Sequence, residues 1–346
     1  MPEFASTLVQ WQRRHGRKGL PWQASTDPYR VWLSEVMLQQ TQVGAVIPYY
    51  ERFLKRFPTV GALAAASEDE VLQLWAGLGY YARGRNLHLA SKKVVFEHQG
   101  KFPDTAERIA ELPGVGRSTA AAIAAFSFGE CAAILDGNVK RVLARHAGIP
   151  GFPGDKKVEA RLWEVAESRL PKERIEIYTQ ALMDLGATVC TKGRPRCDAC
   201  PVSRTCVALK KGLTGKLPAS RPKKEVPSKS TTWLVLRHQG QVLLERRPSP
   251  GIWGGLWSFP ETNGTDVAQD CRNLGFDIGA IRELDAIEHG FTHFHLTIHP
   301  VLCDVKQLAS RAEAPGRLWV EPADASEAAT PAPVKKLLQT FTRRFE

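Results

Sequence analysis

"LPGVGRSTA", residues 112–120, interrupts two stretches of helical periodicity with one proline and two glycines. A tight Gly-x-Gly turn between helices leaves backbone N–H groups unpaired at the start of the second helix, where the helix dipole also favours an anion. Pro113 suits the entry to such a turn, and Arg117 adds a positive charge beside it. Gly114, Gly116 and Arg117 are therefore candidates for holding a phosphate, a contact that gives register without reading bases. An ordinary helix-to-helix connection has the same local sequence, so the rest of the chain decides between the two.

The charge distribution favours the phosphate. The 346-residue chain carries a net charge of +11 and is 43% hydrophobic, enough for two or three domains with cores of their own. Residues 1–230 hold 35 Lys and Arg against 22 Asp and Glu, whereas residues 231–346 hold 12 against 14. A basic first part points to a polyanion such as nucleic acid, because Lys and Arg that neutralise phosphates release condensed counterions. No apolar run approaches membrane-spanning length, and "MPEFASTLVQWQRRHGRKG" lacks the apolar centre of a secretory signal. The expectation is a cytoplasmic monomer without membrane contact, in a reducing compartment.

Residues 1–206 read as almost all helix, as in "GALAAASEDEVLQLWAGLG" and "STAAAIAAFSFG". Residues 207–230, "VALKKGLTGKLPASRPKKEVPSKS", carry seven Lys or Arg, three Pro and little periodicity, and read as a basic linker. Residues 231–346 read as a mixed α+β domain. "TTWLVLRHQGQVLLERRP" predicts a hairpin turning near Gly240, "TDVAQDCRNLG" a helix, and "FTHFHLTIHPVLC" a strand with Phe294, Leu296 and Ile298 on one face.

Two groups of residues carry chemistry. "CTKGRPRCDACPVSRTC" places Cys190, Cys197, Cys200 and Cys206 in a C-x6-C-x2-C-x5-C array, which in a cytosolic chain implies a metal centre rather than disulfides. Zinc is one occupant, but its structural sites usually show two paired knuckles; four cysteines in so short a loop suit a [4Fe-4S] cluster. In "PYRVWLSEVMLQQ", Glu35 shares a helix face with Val31, Trp32 and Leu38, so its carboxyl is partly desolvated and its pKa raised, as a general acid requires. Asp136, in "LDGNVKRVLARH", is expected to cap the following helix, where amides and the dipole lower its pKa and keep it ionised. Carboxyls driven apart in this way suit an acid and a charge stabiliser.

The hairpin, "LDGNVKRV" and the cysteine array together resemble the helix-hairpin-helix DNA glycosylases of the endonuclease III superfamily, and "WLSEVMLQQTQV" resembles more narrowly the adenine DNA glycosylases, the MutY family. The resemblance implies a two-lobed all-α glycosylase domain over residues 1–206 with an iron–sulfur loop at 190–206, and excision of adenine mispaired with 8-oxoguanine or guanine in double-stranded DNA near the nucleoid. By resemblance Glu35 protonates adenine, Asp136 stabilises the sugar cation, Asn138 supports the water or sugar, and Gln180 reads the extruded base. Gln40 and Tyr80 match residues that wedge beside the damaged base. Relatives that also nick the strand carry a lysine at the hairpin position held here by Ser118; a hydroxyl cannot form a Schiff base, so no true lyase activity is expected, although Lys140 could trap an opened sugar.

Residues 231–346 resemble a Nudix hydrolase, with "GGLWSFPE" the most suggestive piece, but "TDVAQDCRNLG" lacks the glutamates that hold Mg2+. A reader of 8-oxoguanine without hydrolysis is implied, with Phe291, Thr292 and His293 standing where the family typically has Phe-Ser-His. His293, His295 and His299 also share a strand face, but no cysteine or clear carboxylate accompanies them as metal ligands. The alternatives are a bifunctional glycosylase/lyase for pyrimidine lesions and a non-catalytic DNA-binding protein.

Overall fold

The computed structural model describes residues 3–222, 226–249, 251–264, 266–291, 293–308, 315–325 and 328–342. They fall into two compact units, residues 1–65 with 86–223, and residues 66–85 with 224–346. Among the described residues no helix is long and apolar enough to cross a membrane.

The described part of the first unit is helical and contains no strand. Helices Glu3–His15, Arg117–Phe128, Gly137–Ala147 and Ile175–Asp184 bury Leu8, Ala122, Val139, Leu143 and Ala181 in one core. Their ends have local causes. Asp27 accepts from the amides of Tyr29 and Arg30 at the start of Pro28–Leu38, and Asp136 caps Gly137–Ala147 by accepting from Val139. In the hairpin, Gly114 has φ +76°, and a Cβ there would lie 2.6 Å from the Asn86 side chain. Turn conformation and close packing both demand glycine.

The expected linker is folded over its first half. Val207–Lys210 is a helical turn, Ala208 and Leu217 are buried, and the Ala219 amide donates to the Gly151 carbonyl. The lysines of this stretch masked apolar anchors that pack on the helical unit. The first strand begins at Ser228, before the expected Thr231.

In the second unit, eight strands among the described residues form one sheet: β1 (Ser228–His238), β2 (Gln241–Arg246), β3 (Trp257–Ser258), β4 (Glu261–Thr262), β5 (Phe276–Glu283), β6 (Ile287–Gly290), β7 (His295–Leu308) and β8 (Arg317–Val320). The central order is β3-β2-β1-β7-β5, with β1 and β7 parallel and the other pairs antiparallel. Gln239 and Gly240, with φ +47° and +82°, make the tight turn between β1 and β2 that the sequence predicts. Alternation along β1 sends Trp233 and Val235 into a core shared with Phe294, Leu296, Ile298 and the helix Ala332–Thr342. Leu234 and Leu236 enter a second core with Cys271 of the helix Val267–Asn273. The sheet is thus covered on both faces.

Residues 66–85, expected in the first domain, belong to this second unit. The helix Glu68–Trp75 buries Leu72 completely in the core of Trp233, Phe259 and Ile298. Arg246 of β2 pairs with Asp69 at 2.9 Å and Glu68 at 3.3 Å, and Arg85 donates to the Gly254 carbonyl. Helical periodicity reports a buried face but not what covers it, so sequence alone does not separate this segment from its neighbours in the chain. Leu72→Ala is expected to destabilise the second unit by about 2–5 kcal/mol, the usual range for such a truncation. Denaturant unfolding followed by tryptophan fluorescence checks this.

Candidate active site

Glu35 lines a cavity of about 390 Å3 within the first unit, together with Gln12, Arg17, Trp22, Val31, Phe126 and Gln180. That volume suits a small ligand, for which about 300–1,000 Å3 is usual. The helix register that buries Val31 and Trp32 carries Glu35 into this apolar surrounding. Burial and the charge of nearby Asp136 raise its pKa to about 8, so it carries its proton at neutral pH.

Asp136 departs from expectation. Its pKa is raised, because burial outweighs the hydrogen bonds from Val139 and Asn138 and the charges of Arg141 and Lys140 that act in the other direction. The expected capping is present, with Val139 N donating at 2.7 Å, but the depth of the site could not be read from a cap motif. The bonds and cations that favour the anion belong to Asp136, whereas both resolved influences on Glu35 favour its neutral form. Burial raises both carboxyls, and only Asp136 has neighbours that act against the shift.

The remaining candidates around these carboxyls have defined partners. Ser118 Oγ accepts from the Leu135 amide at 2.8 Å and so ties the hairpin helix to the residue before Asp136. Asn138 Oδ1 accepts from Arg141, which also donates to the carbonyls of Gly186 and Cys190, each at 2.7 Å. Lys140 Nζ is paired with Glu159 at 2.6 Å. Arg117 is paired with Glu167 and stacks over Trp163, 3.9 Å from the ring centroid, rather than standing clear beside the turn. Gly116 opens the helix Arg117–Phe128 with no side-chain cap and nothing within 4 Å of where a Cβ would stand. Gln180 Nε2 donates to the fully buried carboxylate of Asp184 at 2.9 Å. Arg17, Trp22, Arg141 and Asp184 were missed in sequence; only the basic run "RRHGRKG" hinted at the first.

The four loop cysteines are free thiols ringing a small cavity with Arg145, Val189 and Pro195. Their proximity and burial raise the pKa of Cys197 and Cys200, the latter to about 11. Arg145, itself buried, donates to Cys190 Sγ at 3.3 Å and to the carbonyls of Thr191 and Lys192. Among the described residues no three His, Cys, Asp or Glu side chains close on a single ion. Thiols set around a cavity, with an arginine donating to sulfur, fit a bulky anionic cluster better than one zinc ion.

Other candidates lie apart in sequence. Gln40 is exposed with φ +58°. Tyr80, placed by sequence in the first domain, lies in the second unit; it has φ +49° and is 48% exposed, which excludes a core role. Phe291 stacks on Phe294 at 4.3 Å and meets His289 and Trp253 at 4.7 and 5.5 Å, so it anchors its loop from within. His293 is exposed. Thr292 lies outside the described residues.

A model of HhH-GPD superfamily base excision DNA repair proteins matches residues 33–168, and a NUDIX domain model matches residues 231–340. The adenine DNA glycosylase of Buchnera aphidicola subsp. Acyrthosiphon pisum is 35% identical over 99% of this chain and 98% of its own length. That of Homo sapiens is 34% identical over 98% of this chain and 74% of its own. Among solved structures, a thermostable thymine-DNA glycosylase superposes with TM-score 0.54 at 28% identity, over 60% of this chain and 95% of its own. Endonuclease III in a non-covalent DNA complex shares the fold, with TM-score 0.52 at 22% identity over 61% of this chain and 95% of its own.

Holding Glu35 neutral costs stability. The folded state binds its proton more tightly than the unfolded chain, so stability falls as pH rises through the window from 4.5 to about 8. Glu35→Gln removes that loss and is expected to stabilise the protein by on the order of 1–3 kcal/mol at pH 7 and little at pH 4. Denaturant melts of both proteins at the two pH values measure the difference.

Proposed function

The chain belongs to the adenine DNA glycosylase family, and on that premise we propose that it hydrolyses the N-glycosidic bond of adenine mispaired with 8-oxoguanine or guanine in nucleoid DNA. The observation that carries this reading is the protonated Glu35 lining a cavity, with Asp136 nearby. Adenine is a poor leaving group as an anion, so protonation of its ring must precede or accompany bond cleavage. The base leaves the stack and enters the cavity, where Glu35 delivers the proton. Positive charge then grows on the sugar, opposite the Asp136 carboxylate, before water adds with Asn138 in support; the logic parallels retaining glycosidases. Gln180 reads the base.

The other residues serve recognition. Gly114, Gly116 and Arg117 hold the DNA backbone, with Arg117 exchanging Glu167 for phosphate. Gln40 and Tyr80 wedge beside the damaged base, and Phe291, Thr292 and His293 read the base opposite adenine. One hydroxyl can accept from N7–H of 8-oxoguanine and donate to its O8, and threonine supplies it. Cys190, Cys197, Cys200 and Cys206 hold a [4Fe-4S] cluster, which when bound clips the loop 190–206. Ser118 has no amine to form a Schiff base, and its hydroxyl is engaged by Leu135, which supports a glycosylase that does not cleave the strand.

Single-turnover assays on duplexes with A opposite 8-oxoguanine, G or T test the reading. Excision opposite 8-oxoguanine and G, without concurrent strand cleavage, is expected, with rates falling above about pH 8 as Glu35 loses its proton. Glu35→Gln should lower the rate by about 10²–10⁴-fold while binding is kept. Release of oxidised pyrimidines in place of adenine would overturn the proposal. The cluster has a separate check: purified protein should be brown, and a colourless preparation with stoichiometric zinc excludes it.

A further inference from the structure

We propose that Asp184, which need not touch the base itself, is the positioning residue that makes the cavity select adenine over 6-oxopurines; the proposal rests on the reading above that an extruded adenine enters there. Asp184 is fully buried and collects five donors on its two oxygens. Arg17 gives its amide at 2.8 Å, Nε at 2.8 Å and a terminal guanidinium nitrogen at 2.7 Å, and Gln12 and Gln180 each give Nε2 at 2.9 Å. All three donating residues line the cavity that holds Glu35.

A carboxylate can only accept hydrogen bonds. Each glutamine bound to Asp184 must therefore commit its NH2 group to it and present its carbonyl oxygen elsewhere. For Gln180, on the cavity wall one helical turn before Asp184, the end left for a ligand is Oε1. Gln12 has the same polarity, and its Oε1 is buried with no protein partner. Adenine offers an N6 amino donor to such an acceptor, whereas guanine and hypoxanthine place a carbonyl oxygen there. Two facing acceptors leave both unpaired toward each other, which is how a built polar site rejects a near-isostere. Without the carboxylate, the Gln180 amide is free to turn over and meet either edge.

The experiment compares single-turnover excision of adenine and of hypoxanthine, each opposite 8-oxoguanine, by wild type, Asp184→Asn and Gln180→Met. Asparagine fills the same space but can donate as well as accept, so the constraint on Gln180 is lost. The ratio of adenine to hypoxanthine excision should fall about tenfold or more in Asp184→Asn, with binding to a duplex carrying an uncleavable adenosine analogue retained. Gln180→Met should lower the ratio similarly. A role in stability alone would slow both bases equally and leave the ratio where it was, which overturns the proposal. If Asp184→Asn does not fold, an undiminished ratio in Gln180→Met overturns it instead. A wild type that releases no adenine defeats the functional reading and this one together, an outcome distinct from an active enzyme whose selectivity ignores Asp184.

Discussion

Glu35 keeps its proton at neutral pH because burial disfavours its charged form and a second carboxyl stands close by. Neither condition favours folding. Desolvation disfavours the charged form of either acid, and the charge of Asp136 makes ionisation of Glu35 harder still. The division of labour comes from the backbone. Asp136 sits at a helix N-terminus, where the amides of Asn138 and Val139 and the cations Arg141 and Lys140 favour its anion, and no such group was resolved for Glu35. Two like side chains, both shifted upward by burial, thus differ in what favours the anion, because of the ends and faces of the helices that carry them.

Such a pair works only while its geometry is held, and polar contacts supply the hold. The Ser118 hydroxyl fixes the strand of chain entering Asp136 through the Leu135 amide. Arg141, one turn into the same helix, gathers Asn138, Gly186 and the carbonyl of Cys190. The cysteine loop is therefore joined by hydrogen bonds to the helix that begins at Asp136. Order in that loop therefore bears on the acceptors of Arg141 and, through them, on the helix that begins at Asp136.

Most of this was legible in sequence where a residue type carries its own local rule. Gly114 and Gly116 announced the hairpin, Asp136 its cap, and the alternation of Phe294, Leu296 and Ile298 a strand face. Global burial was hidden. The cap motif at Asp136 implied a lowered pKa because capping amides are local, whereas the burial that reversed the shift is built from distant segments. Asp184 escaped notice for the same reason, since its partners Gln12 and Arg17 lie more than 160 residues away. The lysines of 207–230 suggested a solvated linker and concealed Ala208 and Leu217.

The segment 66–85 shows how far local periodicity can mislead about organisation while still being correct about structure. Its helix is where the pattern placed it, yet Leu72 is buried in a core with the sheet residues Trp233 and Ile298. The consequence reaches function through Tyr80, which the same segment presents with a left-handed backbone and an exposed ring. Tyr80 and the loop carrying Phe291 and His293 thus belong to one compact body. Tyr80, Phe291 and His293 are then carried by a shared core rather than by separate domains. A change that loosens this core is accordingly expected to disturb Tyr80 and the Phe291 loop together.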